Sequence, residues 1–218
     1  MIRTVSIVPA ILTDNKVDYR NQIERINVFT RRVQIDIADG IFVPTTTLDI
    51  TNVWWPKNWE ADLHLMVAKP SEHVDTILKL NPSLCILHAE AGENLLPIFE
   101  ELKKNDIKTG LALLPPTFPG VVKQYIDAVD HVLILAGQPG VQGSPADLMQ
   151  MEKIQLIRNM KPELEISWDG GANMTNIRAL AHADLDVINV GSVLATAENP
   201  AQVFDELVAE IDKNGVVL

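Results

Sequence analysis

The sequence predicts an α/β protein with the architecture of a (β/α)₈ barrel, and three observations lead to this prediction. Eight apolar runs of strand length recur along the 218 residues, and helical segments follow most of them. A doubly wound open sheet, the alternative, would need a glycine fingerprint after the first strand, and the residues around Pro9 offer none. No stretch has the composition of a linker, so one domain spanning residues 1–218 is predicted.

The elements follow in order from the apolar patterns and from turn and capping signals. Strands are predicted at residues 4–9, 32–37, 61–66, 84–88, 109–114, 131–136, 164–168 and 186–190. Helices are predicted at residues 17–28, 72–80, 93–104, 120–128, 146–160, 173–181 and 200–213. After the second strand, residues 49–55 have room for only a turn or two of helix.

Composition excludes several classes of protein. The net charge of −11 argues against a nucleic-acid binder that neutralises phosphates. No apolar run approaches the ~20 residues that a membrane helix needs, so no membrane partner is expected. The N-terminus does not resemble a signal peptide, and the single cysteine, Cys85, lies in an apolar run typical of core packing. We therefore expect a cytoplasmic protein.

Two polar residues interrupt the second predicted strand. Gln34 and Asp36 share one face of this strand, while Val33, Ile35 and Ile37 share the other. Burying an amide and a carboxylate without partners is costly, roughly 2 to 7 kcal/mol for the amide alone. This pair is therefore expected to face a ligand, a metal or a polar pocket.

Other strands end on residues with suitable chemistry. His64 on strand three and Asp169 directly after strand seven are expected to face inward, whereas Trp168 should face the helices. Because a barrel collects its active site at the carboxyl ends of its strands, Asp36, His64 and Asp169 are expected to converge. Such a group suits a divalent metal or proton transfer on two sides of one carbon.

The remaining histidines receive plainer interpretations. His88 is interpreted as a strand-end histidine with satisfied hydrogen bonds. His73, His131 and His182 are interpreted as surface residues, because they lie on predicted helices or at the start of a strand.

Glycines cluster in the last loops of the predicted barrel. They occur in residues 137–144 after strand six, at Gly170 and Gly171 after strand seven, and at Gly191 beside Ser192 after strand eight. Glycine lets backbone N–H groups approach an anion, and barrels often bind phosphate in these loops. A phosphate-binding site is therefore predicted there.

The chain resembles the ribulose-phosphate 3-epimerase family over residues 5–211. The resemblance rests on several short segments in a fixed order: Pro-Ala-Ile-Leu (9–12), Asp-Ile-Ala-Asp-Gly-Ile-Phe-Val-Pro (36–44), Leu-His-Leu-Met-Val (63–67), Leu-His-Ala-Glu (87–90), Pro-Gly (139–140), Asp-Gly-Gly (169–171) and Val-Gly-Ser (190–192). It implies a TIM barrel of the ribulose-phosphate-binding type that interconverts ribulose 5-phosphate and xylulose 5-phosphate. One Asp would remove the C3 proton, and the other would deliver it from the opposite face.

The resemblance also implies roles for individual residues. Asp36 and Asp169 correspond to the two catalytic acids, and with His64 they correspond to ligands of a divalent metal that stabilises an enediolate. The expected phosphate-binding residues are Gly140, Gly143, Gly170, Gly171, Gly191 and Ser192, and the expected pocket wall includes Ala10, Met66 and Leu135.

The departures from the family pattern cluster around this site. Gln34 stands where similar proteins have a second metal-binding His, Ala10 where they have Ser, and Ala38 and Leu135 where they have Met. Gln34 could offer its amide oxygen as a further ligand, which suits harder ions. The sequence therefore predicts a weakly held divalent metal, with Mn, Mg, Fe and Zn as the candidates.

Two alternatives remain open at this point. The protein could act on a different sugar phosphate, with Gln34 bonded to the enediolate in place of a metal, or it could bind a sugar phosphate without catalysis. The two carboxylates argue against a simple binder, which has no need of both.

The sequence does not indicate the oligomeric state, and both a monomer and a homo-oligomer are compatible with it.

Overall fold

Eight parallel strands close into a barrel in the computed structural model, which describes residues 4–213. Each strand pairs with its neighbours in chain order, and β1 closes the barrel against β8. The predicted (β/α)₈ barrel is therefore confirmed. The strands are β1 (Ser6–Ile11), β2 (Arg32–Ala38), β3 (Glu60–Met66), β4 (Leu84–His88), β5 (Lys108–Leu113), β6 (His131–Leu135), β7 (Glu165–Asp169) and β8 (Val187–Val190).

Within the described residues, eight α-helices accompany the strands. They are α1 (Lys16–Ile26), α2 (Val74–Leu80), α3 (Leu96–Lys104), α4 (Lys123–Ala128), α5 (Glu152–Met160), α6 (Ile177–Ala181), α7 (Ser192–Ala195) and α8 (Pro200–Ile211). After β2 the chain forms only a 3₁₀ turn, Ile50–Asn52, as its short connection predicted. Further 3₁₀ turns precede α2, α4 and α5 at Pro70–His73, Pro119–Val122 and Leu148–Met151.

The alternation of side chains divides the core into two regions. Ile35, Leu63 and Trp168 point outward and pack in the large apolar layer between the barrel and its helices. A smaller cluster around Ile86 and Leu133 fills the middle of the barrel. Polar side chains occupy the interior above and below this cluster. The inward parity predicted for Gln34 and Asp36 thus follows from the pleat of the strands.

Several element boundaries differ from the predicted ones, and two of these differences concern the site. Strand β1 continues through Pro9 to Ile11, so Ala10 lies within the strand and pairs with Gln34 rather than following the strand. Asp169 is likewise the last residue of β7, not the first of the loop. Both predicted strands were ended too early because Pro9 and Asp169 are residue types that usually terminate strands.

No helix within residues 4–213 is long and apolar enough to cross a membrane. The domain prediction spans residues 1–218, of which 1–3 and 214–218 lie outside the described residues, so it stays a prediction.

Candidate active site at the barrel mouth

Three polar side chains meet at the carboxyl ends of the strands. Asp36 and His64 are directly paired across β2 and β3, and Asp169 reaches them from the end of β7. His64 Nδ1 lies 2.9 Å from Asp36 Oδ1 and 3.8 Å from Asp169 Oδ2. One possible ligand atom from each of the three lies within 4.8 Å of the others. The side chains expected to converge do so.

Gln34 lies beneath this group and is fully buried. Its Nε2 donates to Asp36 Oδ1 at 2.9 Å and to Asp169 Oδ2 at 2.7 Å, so one amide nitrogen bridges both carboxylates. Its Oε1 accepts a hydrogen bond of 2.6 Å from Asn189 Nδ2 on β8. This orientation differs from the expected one, in which the amide oxygen faces a metal.

His64 is held from its other side by a second imidazole. Its Nε2 lies 2.9 Å from His88 Nε2, and His88 packs against the ring of Phe42 with centroids 4.7 Å apart. His88 Nδ1 lies 3.4 Å from Glu90 Oε2, too far for a good hydrogen bond, and neither atom has another hydrogen-bond partner among the described residues. His88 therefore orients His64, although its own second nitrogen is less well satisfied than the sequence interpretation assumed.

Burial and neighbouring charges shift the pKa values of Asp169, His64 and His88 in different directions. Burial and the nearby Asp36 charge raise the pKa of Asp169 to about 6, although His64 and Gln34 oppose the rise. Burial alone would lower the pKa of His64, but the hydrogen bond and charge of Asp36 outweigh it and the pKa is raised. Burial lowers the pKa of His88 to about 4, so His88 is neutral and its Nε2 can accept a hydrogen bond from His64 Nε2.

A pocket of about 560 Å³ opens above this group. It is lined by every predicted site residue except Gln34, and its wall also includes Gln142, Ser144 and Asn189. No lysine or arginine belongs to this lining. The predicted site residues on the lining are Ala10, Asp36, His64, Met66, Leu135, Gly140, Gly143, Asp169, Gly170, Gly171, Gly191 and Ser192.

Two glycines let the late loops come together. Gly170 and Gly171 both have positive φ, 108° and 69°, which side chains rarely adopt. A Cβ on Gly170 would overlap the backbone of Gly137, and one on Gly171 would overlap the backbone of Ala146. The loop after β7 thus packs directly on the loop after β6, and together they form one side of the pocket.

Comparison with known proteins decides the family. The model of the ribulose-phosphate 3-epimerase family matches residues 6–195, which include all eight strands. The chain belongs to the ribulose-phosphate 3-epimerase family. The resemblance stated from its sequence motifs is therefore confirmed.

Similar members of this family cover nearly the whole chain. The ribulose-phosphate 3-epimerase of Schizosaccharomyces pombe is 26% identical over 92% of this chain and 91% of its own length. That of Helicobacter pylori is 28% identical over 87% and 90%. The cytoplasmic isoform of Oryza sativa is 29% identical over 92% of each chain.

Solved structures of the same fold are more distant in sequence. A 3-hexulose-6-phosphate synthase from Salmonella typhimurium superimposes with a TM-score of 0.72 at 10% identity, covering 95% of this chain and 98% of the other. Another structure of a 3-hexulose-6-phosphate synthase gives 0.70 at 14% identity, covering 95% and 100%. At these identities the likeness shows the fold alone.

The family implies a divalent metal, and three of the side chains present fit one. Asp36, His64 and Asp169 offer two carboxylate oxygens and one imidazole nitrogen, an ordinary donor set for such an ion. Gln34 as oriented does not complete the set, because it turns N–H donors toward the carboxylates and a donor cannot coordinate a cation.

Two sequence interpretations need correction or addition. His131 is not a surface residue: it is only 1% exposed and faces the barrel interior at its lower end, since it shares parity with Leu133. Asn189 was missed, although it lies on the pocket wall and bonds to Gln34. It interrupts an apolar strand just as Gln34 does, and this signal could have revealed it.

Proposed function

We propose that this protein interconverts ribulose 5-phosphate and xylulose 5-phosphate by removing the C3 proton from one face and returning a proton to the other. The observation that carries the proposal is the pair of carboxylates, Asp36 and Asp169, converging on one pocket and bridged by one amide. Two acids on opposite sides of one carbon are what inversion at that carbon requires.

The carboxylates have to differ in protonation at the start of each turnover. One acts as a base and must be ionised, while the other acts as an acid and must carry a proton. The pKa of about 6 for Asp169 leaves an accessible protonated fraction near neutral pH. We therefore assign Asp36 and Asp169 as the acid–base pair, exchanging roles with the direction of reaction.

We further propose that Asp36, His64 and Asp169 hold a divalent metal weakly. A metal there would supply positive charge for the oxygen of the substrate that becomes negative when C3 is deprotonated. In our assignment the protein residues orient the ketose, exclude bulk water and move the proton. Metal analysis of the isolated protein should find less than one ion per chain, and tightly bound stoichiometric Zn²⁺ would contradict this.

The phosphate group is expected at the other side of the pocket. The lining there consists of the loop glycines, Gln142, Ser144, Ser192 and the N-terminus of α7, which offer N–H and hydroxyl donors. The acidic side is occupied by Asp36 and Asp169, which repel a phosphate. This polarity orients a ketose 5-phosphate with its C3 toward the carboxylates.

The test is hydrogen exchange at C3. Ribulose 5-phosphate is incubated with the protein in D₂O, and NMR follows deuterium incorporation at C3, with and without added Mn²⁺, Mg²⁺ or Zn²⁺. We expect exchange together with the appearance of xylulose 5-phosphate. Absence of exchange under every metal condition would overturn the proposal.

Matched variants locate the activity. Asp36→Asn should abolish exchange, whereas Asp130→Asn, which alters a carboxylate bonded to Thr109 outside the pocket, should leave the exchange rate unchanged. Exchange at another ketose phosphate but not at ribulose 5-phosphate would redirect the proposal to a different substrate. Binding of ribulose 5-phosphate without exchange would identify a binder.

A further inference from the structure

Gln34 uses both hydrogens of its amide on the two proposed acids. The side chain is fully buried and does not line the pocket, so it acts from beneath on groups that do. Its contacts with Asp36 and Asp169, at 2.9 and 2.7 Å, have the lengths of good hydrogen bonds to carboxylates. Gln34 thus links the two carboxylates without adding charge.

Asn189 fixes which end of the Gln34 amide faces upward. It is 3% exposed, and its Nδ2 donates to Gln34 Oε1 at 2.6 Å. Its own Oδ1 has no hydrogen-bond partner among residues 4–213. With Oε1 engaged by Asn189, the amide keeps its nitrogen toward the carboxylates, and turning it would break three hydrogen bonds.

An N–H donor and a metal ion act on these carboxylates in opposed ways. Both need oxygen lone pairs of Asp36 and Asp169, and the hydrogens of Gln34 carry partial positive charge toward the region where a cation would lie. A cation that takes Asp36 Oδ1 or Asp169 Oδ2, the two oxygens that accept from Gln34, would therefore weaken the amide bridge. A side chain that merely filled space would not oppose it.

We propose that Gln34, oriented by Asn189, competes with a divalent cation for Asp36 and Asp169. The site then has two states, one bridged by the amide and one occupied by the cation. Gln34 is a positioning residue in the first state, because it holds the carboxylates near one another without touching substrate.

The decisive variant is Gln34→Met, which keeps the length of the side chain and removes the donor. The Kd for Mn²⁺ is measured by electron paramagnetic resonance, at the same pH for both proteins. Mn²⁺ is chosen because a hard ion has little affinity for the thioether that the variant introduces. We expect the Kd to fall roughly tenfold or more. In the variant the cation no longer has to replace the two hydrogen bonds that Gln34 makes to the charged carboxylates.

The other outcomes contradict the proposal in different ways. An unchanged Kd would show that Gln34 does not oppose the cation, and a weaker Kd would show that Gln34 supports cation binding, either through Oε1 or by holding the two carboxylates together. Absence of Mn²⁺ binding in both proteins would remove the cation-occupied state altogether. Thermal unfolding and circular dichroism of the variant establish that the barrel is folded.

A second measurement follows the amide itself. The side-chain ¹H–¹⁵N signals of Gln34 are identified by their loss in Gln34→Met, and Zn²⁺ is added as a diamagnetic cation. In the metal-free protein we expect the Gln34 amide protons to have shifted resonances and to exchange slowly with water. Their signals should change in proportion to the fraction of sites that hold Zn²⁺. In metal-free Asn189→Leu the same protons should exchange faster, and an unchanged signal there would refute the orienting role of Asn189.

The inference rests on the site of the proposed function but not on turnover. Both measurements are made without substrate, so tighter binding in Gln34→Met would stand even if C3 exchange were absent. Conversely, if the protein exchanged the C3 hydrogen but had the same cation affinity with and without the Gln34 amide, only the inference of this subsection would fail.

Discussion

The two polar clusters inside the barrel are built from the same kinds of side chain and differ in how completely they are paired. At the base, Arg32 donates to Asp62 at 2.8 Å and to both oxygens of Glu165 at 3.0 Å. His131 bridges the same Glu165 to Ser167, with both distances 2.7 Å. The base thus carries its own counter-ion for its carboxylates.

The mouth has carboxylates of the same kind, but none of the described residues that line its pocket is an arginine or a lysine. Asp36 and Asp169 share one amide and one imidazole, and Asn189 retains an acceptor without a partner among the described residues. Glu165 at the base and Asp169 at the mouth consequently have pKa values shifted in opposite directions. Burial tends to raise the pKa of Glu165, but His131 and Arg32 outweigh it and lower that pKa, whereas the pKa of Asp169 is raised.

This difference separates stability from function. A network paired with an arginine needs nothing from outside, whereas two acids whose nearest basic group is a histidine favour a further proton, a metal or a polar substrate. Pairing does not lower the pKa of every carboxylate at the base, because burial raises the pKa of Asp62 although Arg32 lies beside it. We expect changes at the base to alter the free energy of unfolding and changes at the mouth to alter catalysis.

The largest expected effect is on catalysis at the mouth. Asp169→Asn should lower the rate of C3 exchange by ~10²–10⁴-fold, because an amide cannot accept or deliver the proton. The variant should unfold no more easily than the wild-type protein at about pH 8, because it removes a buried negative charge. Exchange rates and urea unfolding of the same sample test both statements, and a loss of stability matching the loss of rate would contradict the division.

The complementary change is Arg32→Met at the base. It leaves Asp62, whose side chain is 4% exposed, without its counter-ion, and should destabilise the fold by ~3–5 kcal/mol. Exchange per folded molecule should change little, since Arg32 does not line the pocket. Lys123→Met is the control, because its ion pair with Asp127 is exposed and should contribute about 0–1 kcal/mol.

Strand parity explains how much of both clusters could be predicted. The alternation of β2, β3 and β7 correctly turned Gln34, Asp36, His64 and Asp169 inward and Trp168 outward. The same alternation on β6 turns His131 inward with Leu133, but its place at the start of the strand suggested the surface. The alternation alone would have placed His131 inside the barrel. The assumption that the start of a strand is exposed was wrong here, because side chains close the base of this barrel.

Orientation within the site could not be predicted in the same way. The direction of the Gln34 amide depends on Asn189, which is 155 residues away in the chain and reaches Gln34 only because β8 closes against β1. A residue pattern gives the face of a side chain, but it does not give which end of an amide points to a given neighbour. The expected metal ligand therefore emerged as a hydrogen-bond donor.

The pH dependence of stability should have opposite signs for Asp169 at the mouth and Glu165 at the base. A folded pKa of about 6 for Asp169, against an ordinary value of 3.8, means that its contribution is present at low pH and is lost as pH rises through 6. The stability of Asp169→Asn relative to wild type should therefore rise by about 2–3 kcal/mol between pH 4 and pH 7.

Glu165 should behave in the reverse manner, because its folded pKa is lowered from 4.5. Its contribution is present above about pH 4.5 and is lost as pH falls further, so Glu165→Gln should lose its disadvantage at acid pH. Urea unfolding of both variants in chelator, across this range, tests the signs. Two curves that bend in the same direction would show that the mouth and the base are not electrostatically distinct.

The smallest expected effect tests whether the base is as fully satisfied as its geometry indicates. Ser167 is fully buried and its Oγ lies 2.7 Å from His131 Nε2, so Ser167→Ala removes a partner that no water can readily replace. The free energy of unfolding should fall by about 1–3 kcal/mol. Thr175→Ala, which removes an exposed hydroxyl bonded to Asn173, should cost less than about 0.5 kcal/mol. If Ser167→Ala and Thr175→Ala lowered the free energy of unfolding equally, His131 would have found another partner in place of Ser167. The base could then change its hydrogen bonds, as we propose for the mouth.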